Sequence, residues 1–91
     1  MKTKKTLNIV VPNAPLKRGD RSLGVMYLQI ALQAAAGRGQ GKPDIVKTEN
    51  GWFGPETELR LRKFQERNKI HIDGRYTDLT RRVLREVLKC K

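Results

Sequence analysis

Apolar residues along this chain fall into helical spacing three times, with glycine-rich punctuation between. From Ser22 to Gly37, Val25, Leu28, Leu32, Ala35 and Ala36 recur every three or four residues, which places them on one face of a helix. The helix is expected to start near Ser22, with the Ser22 hydroxyl or the Asp20 carboxylate accepting first-turn amide protons. It should end by Gly37, because Gly37-Arg38-Gly39-Gln40-Gly41-Lys42-Pro43 cannot continue it. A second helix is predicted from Pro55, whose missing N–H is no loss in a first turn, with Glu56 and Glu58 at the positive end of its dipole. Leu61 and Phe64 form its inner face, Leu59 flanks them, and Arg67-Asn68-Lys69 marks its end. A third runs from about Asp78 to Leu88, with Val83, Leu84, Val87 and Leu88 on one side.

Ahead of the helices, Leu7, Ile9 and Val11 alternate with Asn8, Val10 and Pro12. This run is too short to be stable unless it docks on something, so residues 1–15 read as an extended basic arm. The expected fold is all-α: a compact three-helix domain over residues 16–88, the arm before it and a C-terminal tip at 89–91.

Composition narrows the function. The chain has 91 residues, enough for one small domain and too few for catalytic and targeting modules together. Twenty Lys and Arg stand against nine Asp and Glu, a net charge of +11, so anionic partners must be considered. The single cysteine, Cys90, excludes a disulfide within the monomer, and one His and one Cys cannot supply a typical zinc site. No cofactor is required. Apolar runs such as Ile9-Val10-Val11-Pro12 are far short of a membrane span, and the lysines of the arm precede too broken a segment for an export signal.

A repeat is visible in the turns. Asn50-Gly51-Trp52-Phe53-Gly54-Pro55-Glu56-Thr57 aligns with Asp73-Gly74-Arg75-Tyr76-Thr77-Asp78-Leu79-Thr80 at an offset of 23 residues, and Leu61 aligns with Leu84. In each copy the Asn or Asp side chain can bond to backbone amides ahead of it, glycine takes the left-handed conformation, and the aromatic enters the core. Each copy is a turn that launches a helix.

Together with Leu16-Lys17-Arg18-Gly19-Asp20, Val25, Leu28-Gln29, Leu32 and Phe64-Gln65, these turns resemble the three-helix type of peptidoglycan-binding domain that accompanies bacterial and phage cell-wall hydrolases. The resemblance covers about residues 16–88. It implies a non-catalytic module that anchors a hydrolase or phage component to the bacterial wall, with peptidoglycan and anionic wall polymers as partners, acting as a monomer. Release by a phage would fit the missing export signal. The chain departs from the family pattern in having Asn50 where Asp is usual, Thr77-Asp78 where Gly-Pro is usual, and a longer loop from Gly37 to Glu49. Arg60 also stands where a small residue usually faces the neighbouring helix; it is expected to swing outward and leave Leu59 to help close the core.

Leu28, Leu32, Phe53, Leu61, Phe64, Tyr76 and Leu84 read as core. The ligand-binding candidates are Trp52, Tyr27, Gln29, Gln65, Asn50, Asp73 and Arg60. Trp52 occupies the variable position of the first turn, where its indole could stack on a sugar ring or pack on the basic loop. Tyr27, off the main stripe of the first helix, has the same two readings. Gln29 and Gln65 each follow a core residue and could brace a loop or touch a ligand. Asn50 and Asp73 shape turns, and Asp73 could tie the two halves together. On the third helix, Arg82 and Glu86 have the spacing of an ion pair.

Two other functions remain open on the residues alone. A small nucleic-acid-binding domain would explain the charge, although no interleaved aromatic and basic stripe is present. A glycosidase would need two carboxylates from Glu49, Glu56, Glu58 and Glu66 in a chain with little room for a cleft.

Overall fold

A computed structural model describes residues 9–36 and 50–89. The long loop with Glu49, the lysines of the arm and Cys90 lie outside these residues. Among the described residues three helices form, α1 (Leu23–Ala36), α2 (Pro55–Arg67) and α3 (Asp78–Lys89), in the expected all-α arrangement. The first packs against both of the others. No helix among the described residues is long and apolar enough to cross a membrane.

The core is drawn from helices and turns together. Helix α1 contributes Val25, Leu28, Ala31 and Leu32, α2 contributes Leu61 and Phe64, and α3 contributes Leu84. Two of its largest side chains, Phe53 and Tyr76, come from the turns before α2 and α3 and are fully buried. Turn and core are therefore one unit: the aromatic cannot be seated unless the turn before the helix is correctly formed. Burial raises the pKa of the Tyr76 hydroxyl, which stays protonated and donates to the Pro12 carbonyl at 2.8 Å. With that bond Ile9, Val11 and Ala14 pack against the core, so the second half of the expected arm has a docking surface.

One short stretch holds both turns. Leu16 forms an antiparallel bridge with Tyr76, exchanging two backbone hydrogen bonds of 2.9 Å. Four residues on, Phe53 N–H donates to the Asp20 carbonyl at 2.8 Å, Ser22 N–H donates to the Gly51 carbonyl at 3.0 Å, and Arg21 bridges Trp52. The stretch turns sharply at Gly19, where φ is +99°, and the Asp20 carboxylate accepts the Lys17 N–H at 2.9 Å. Asp20 thus closes that turn, and the Ser22 hydroxyl is the cap of α1, accepting the Val25 N–H at 3.2 Å.

The end of α2 is a Schellman motif: Ile70 N–H reaches the Gln65 carbonyl and Lys69 N–H the Glu66 carbonyl. Lys69 sits there at φ +58°, the left-handed conformation usually given to glycine.

Two packing expectations are corrected. Leu59 is 49% exposed and does not close the core. Arg60 stays half-buried along α2, with Nε 3.5 Å from the Glu56 carboxylate, close enough for attraction but without a hydrogen bond. Arg82 pairs with Asp78 at 3.1 Å, whereas Glu86 faces Lys89 at 3.9 Å. An acid placed four residues before a base, at a helix N-terminus, is the better arrangement with the helix dipole.

Candidate functional site

The first turn is built around a glutamine. Gln29, on α1 and almost fully buried, accepts the Gly51 N–H at 2.8 Å through Oε1. Its Nε2 donates to the Trp52 carbonyl at 2.9 Å, the Thr57 hydroxyl at 2.8 Å and Asn50 Oδ1 at 3.2 Å. Asn50 Oδ1 in turn accepts the Trp52 N–H at 3.0 Å, which closes an Asx turn, and Gly51 takes φ +81°. The amide can point only one way, because reversing it would set its NH₂ against the Gly51 N–H.

The second turn repeats this set. Gln65, on α2, accepts the Asp73 and Gly74 N–H groups at 3.2 and 3.0 Å, and donates to the Arg75 carbonyl, Asp73 Oδ1 and the Thr80 hydroxyl at 3.0, 3.0 and 3.3 Å. Asp73 Oδ1 accepts the Arg75 N–H at 2.9 Å, and Gly74 takes φ +70°. Gln29 and Gln65 therefore brace loops, and the repeat extends to the glutamine of the preceding helix and the threonine of the following one. Asp73 is pushed up by burial, but hydrogen bonds from Arg75 N–H and the Gln65 amide, with the nearby His71, outweigh this and hold its carboxyl below the ordinary value of 3.8.

What the two turns present outward differs. In the first, Trp52 is 40% exposed and its indole lies over Gly54. A Cβ on Gly54 would come 2.5 Å from Trp52 Cζ3, so only glycine leaves room for the ring. The Arg21 guanidinium sits 5.9 Å from the ring centroid, at the outer reach of a cation–π contact. In the second turn the equivalent positions are Arg75, which is exposed, and Thr77.

A carboxylate joins the second turn to the entry stretch. Glu58 pairs with Arg18 at 2.6 Å and with Arg62 at 3.6 Å, and the Glu58 and Arg62 side chains lie against Gly74, where a Cβ would meet both at 3.0 Å. Glu56 and Glu58 are thus engaged in ion pairs along α2.

Of the candidates, the structure brings Gln29, Asn50 and Trp52 into one cluster and Gln65 and Asp73 into another. Tyr27 is half-buried on α1, and no hydrogen bond among the described residues ties it or Arg60 to either cluster. Arg21 was not legible as a site residue: its place over Trp52 depends on an isolated bridge that leaves no periodic signal. The bridging role of Glu58 likewise needs a partner 40 residues away.

The fold and these turns define a three-helix module assembled from two copies of one clamped turn. The family model described as "Putative peptidoglycan binding domain" matches residues 21–84, well over half of the chain, and the chain belongs to that family. Among solved structures, the crystal structure of the SleB N-terminal domain superposes with a TM-score of 0.67 at 30% identity, covering 84% of this chain and 94% of that one. A search of curated proteins finds no match.

Proposed function

We propose that this chain is a non-catalytic module that binds peptidoglycan and holds a cell-wall hydrolase or phage component on its substrate. Family membership over residues 21–84 is the observation that carries this reading. The outward surface of the first turn supplies the contact, with Trp52 as its centre and Asn50 and Gln29 fixing the backbone beneath it. Gln65 and Asp73 hold the second turn, while Tyr27 and Arg60 are secondary contacts. Anionic wall polymers are further partners, drawn by the charge of +11. The module works as a monomer at the bacterial wall.

Purified sacculi freed of nucleic acid provide the test. The chain is expected to co-sediment with them in moderate salt, and failure to do so overturns the proposal. Nucleic-acid binding is the competing outcome, because phosphate contacts alone would also use the charge. Retention on DNA to higher salt than on sacculi would put that reading first.

A further inference from the structure

We propose that Trp52 and Arg21 together form a subsite for an acidic sugar, with the indole face taking a pyranose ring and the guanidinium taking a carboxylate carried on or beside that ring. The inference deepens the peptidoglycan reading and rests on it.

The indole is held for contact. Its backbone is fixed on both sides, by Asn50 Oδ1 at the N–H and Gln29 Nε2 at the carbonyl. One face of the ring rests on Gly54, so the apolar surface that remains exposed is turned away from the turn backbone. An aromatic presented rigidly binds without the loss of freedom that a mobile one would suffer. Aromatic faces pack against the C–H face of sugar rings, and the indole N–H adds a donor.

Arg21 gives the subsite its charge preference. Lys17 has Asp20 at 3.3 Å and Arg18 has Glu58 at 2.6 Å, but the partner that the structure gives the Arg21 guanidinium is the ring of Trp52. At 5.9 Å from the centroid the guanidinium is loosely held, and its planar fork of donors matches a carboxylate. A ring settling on the indole displaces it by a short swing and leaves it at the sugar's edge. In a peptidoglycan strand that carboxylate has two sources: a free lactyl ether on the hexosamine, or the acidic residues of a stem peptide.

Trp52 is the only tryptophan in the chain, so its fluorescence reports on the subsite directly. The intact chain is titrated with chitotetraose, with the corresponding tetrasaccharide bearing free lactyl carboxylates, with that tetrasaccharide carrying stem peptides, and with an oligothymidylate. One of the two acidic glycans is expected to bind at least about tenfold more tightly than chitotetraose, the size of one charge-assisted contact. Tighter binding of the lactyl form assigns the carboxylate to the ether, and tighter binding of the peptide form assigns it to the stem. Arg21→Gln should reduce the acid preference, read as the ratio of acidic to neutral glycan affinity, to about twofold or less while the thermal melt stays unchanged. Gly54→Ala, which unseats the indole, should weaken all three glycans. Equal affinity for neutral and acidic glycans, a preference that survives Arg21→Gln, or tighter binding of the oligothymidylate would each overturn the subsite. If these failures occur while the chain still co-sediments with sacculi, the subsite alone is wrong. Loss of co-sedimentation as well would overturn the wall-binding reading beneath it.

Discussion

The turns ahead of α2 and α3 share one internal design and differ in what they show to solvent. In both, a buried glutamine of the preceding helix holds the Asx-Gly backbone, and the aromatic two residues after the glycine drops into the core. The first turn then places Trp52 over Gly54, where the second places Arg75 near Thr77. A threonine at the position of Gly54 would collide with the indole. The two differences are therefore one difference: glycine is present where a large flat side chain must lie down. The clamp explains stability in both turns, and the outer pair explains why only the first offers an aromatic surface.

Removing a clamp should have the largest effect. Gln65→Leu leaves the Asp73 and Gly74 N–H groups without their acceptor, and Gln29→Leu does the same to Gly51. Each is expected to cost about 3 kcal/mol, with Gln65 the more severe because it serves two donors. Chemical denaturation of the two variants checks the order. Equal stability to the parent chain would remove the clamp from the account.

Swapping what the turns expose should affect binding and leave the fold alone. Trp52→Ala is expected to reduce sacculus binding about tenfold, in line with the loss of one aromatic contact. Arg75→Ala, its equivalent in the second turn, should change it by less than about twofold, consistent with a screened surface charge. Similar losses in both would mean that recognition is spread over the repeat.

Acid should separate the turns too. The Asp73 carboxyl is held below its ordinary value of 3.8, so its stabilisation is complete above that value and is lost as pH falls through the lower folded-state value. Asn50 does not titrate. Asp73→Asn should therefore make the second turn resemble the first and flatten the fall in melting temperature below about pH 4. Some slope will remain, because Asp20, held by the Lys17 N–H, is lowered as well. An unchanged acid slope in Asp73→Asn would show that the second clamp does not depend on its charge.

The smallest effect lies at the end of α2. Lys69→Gly relieves a left-handed lysine and should raise stability by up to about 1 kcal/mol. A loss in denaturant midpoint would mean that the lysine side chain contributes more than the strain removes.

Much of this was legible in the sequence, because turn chemistry and helical spacing are local. The three helices, the seven expected core residues and the Asx-Gly repeat follow from neighbours within a few positions. The roles of Gln29 and Gln65 stayed open because a glutamine beside a core residue looks the same whether it braces or binds. The bonds that decide it span 22 and 9 residues. Leu59 and Arg60 depart from the expected packing for a related reason. The stem of an arginine can lie along a half-buried helix face with its head group beside Glu56, so no apolar neighbour is needed to seal the gap. Arg21 was missed because nothing in its own neighbourhood distinguishes it from Arg18.

The most direct test of the comparison is amide and indole chemical-shift mapping of the intact chain with a soluble disaccharide-peptide wall fragment. The account predicts shifts at the Trp52 indole N–H, the Trp52 and Gly51 amides and Arg21, with Gly74 and Arg75 unmoved. Shifts centred on Gly74 and Arg75, with Trp52 silent, would contradict it.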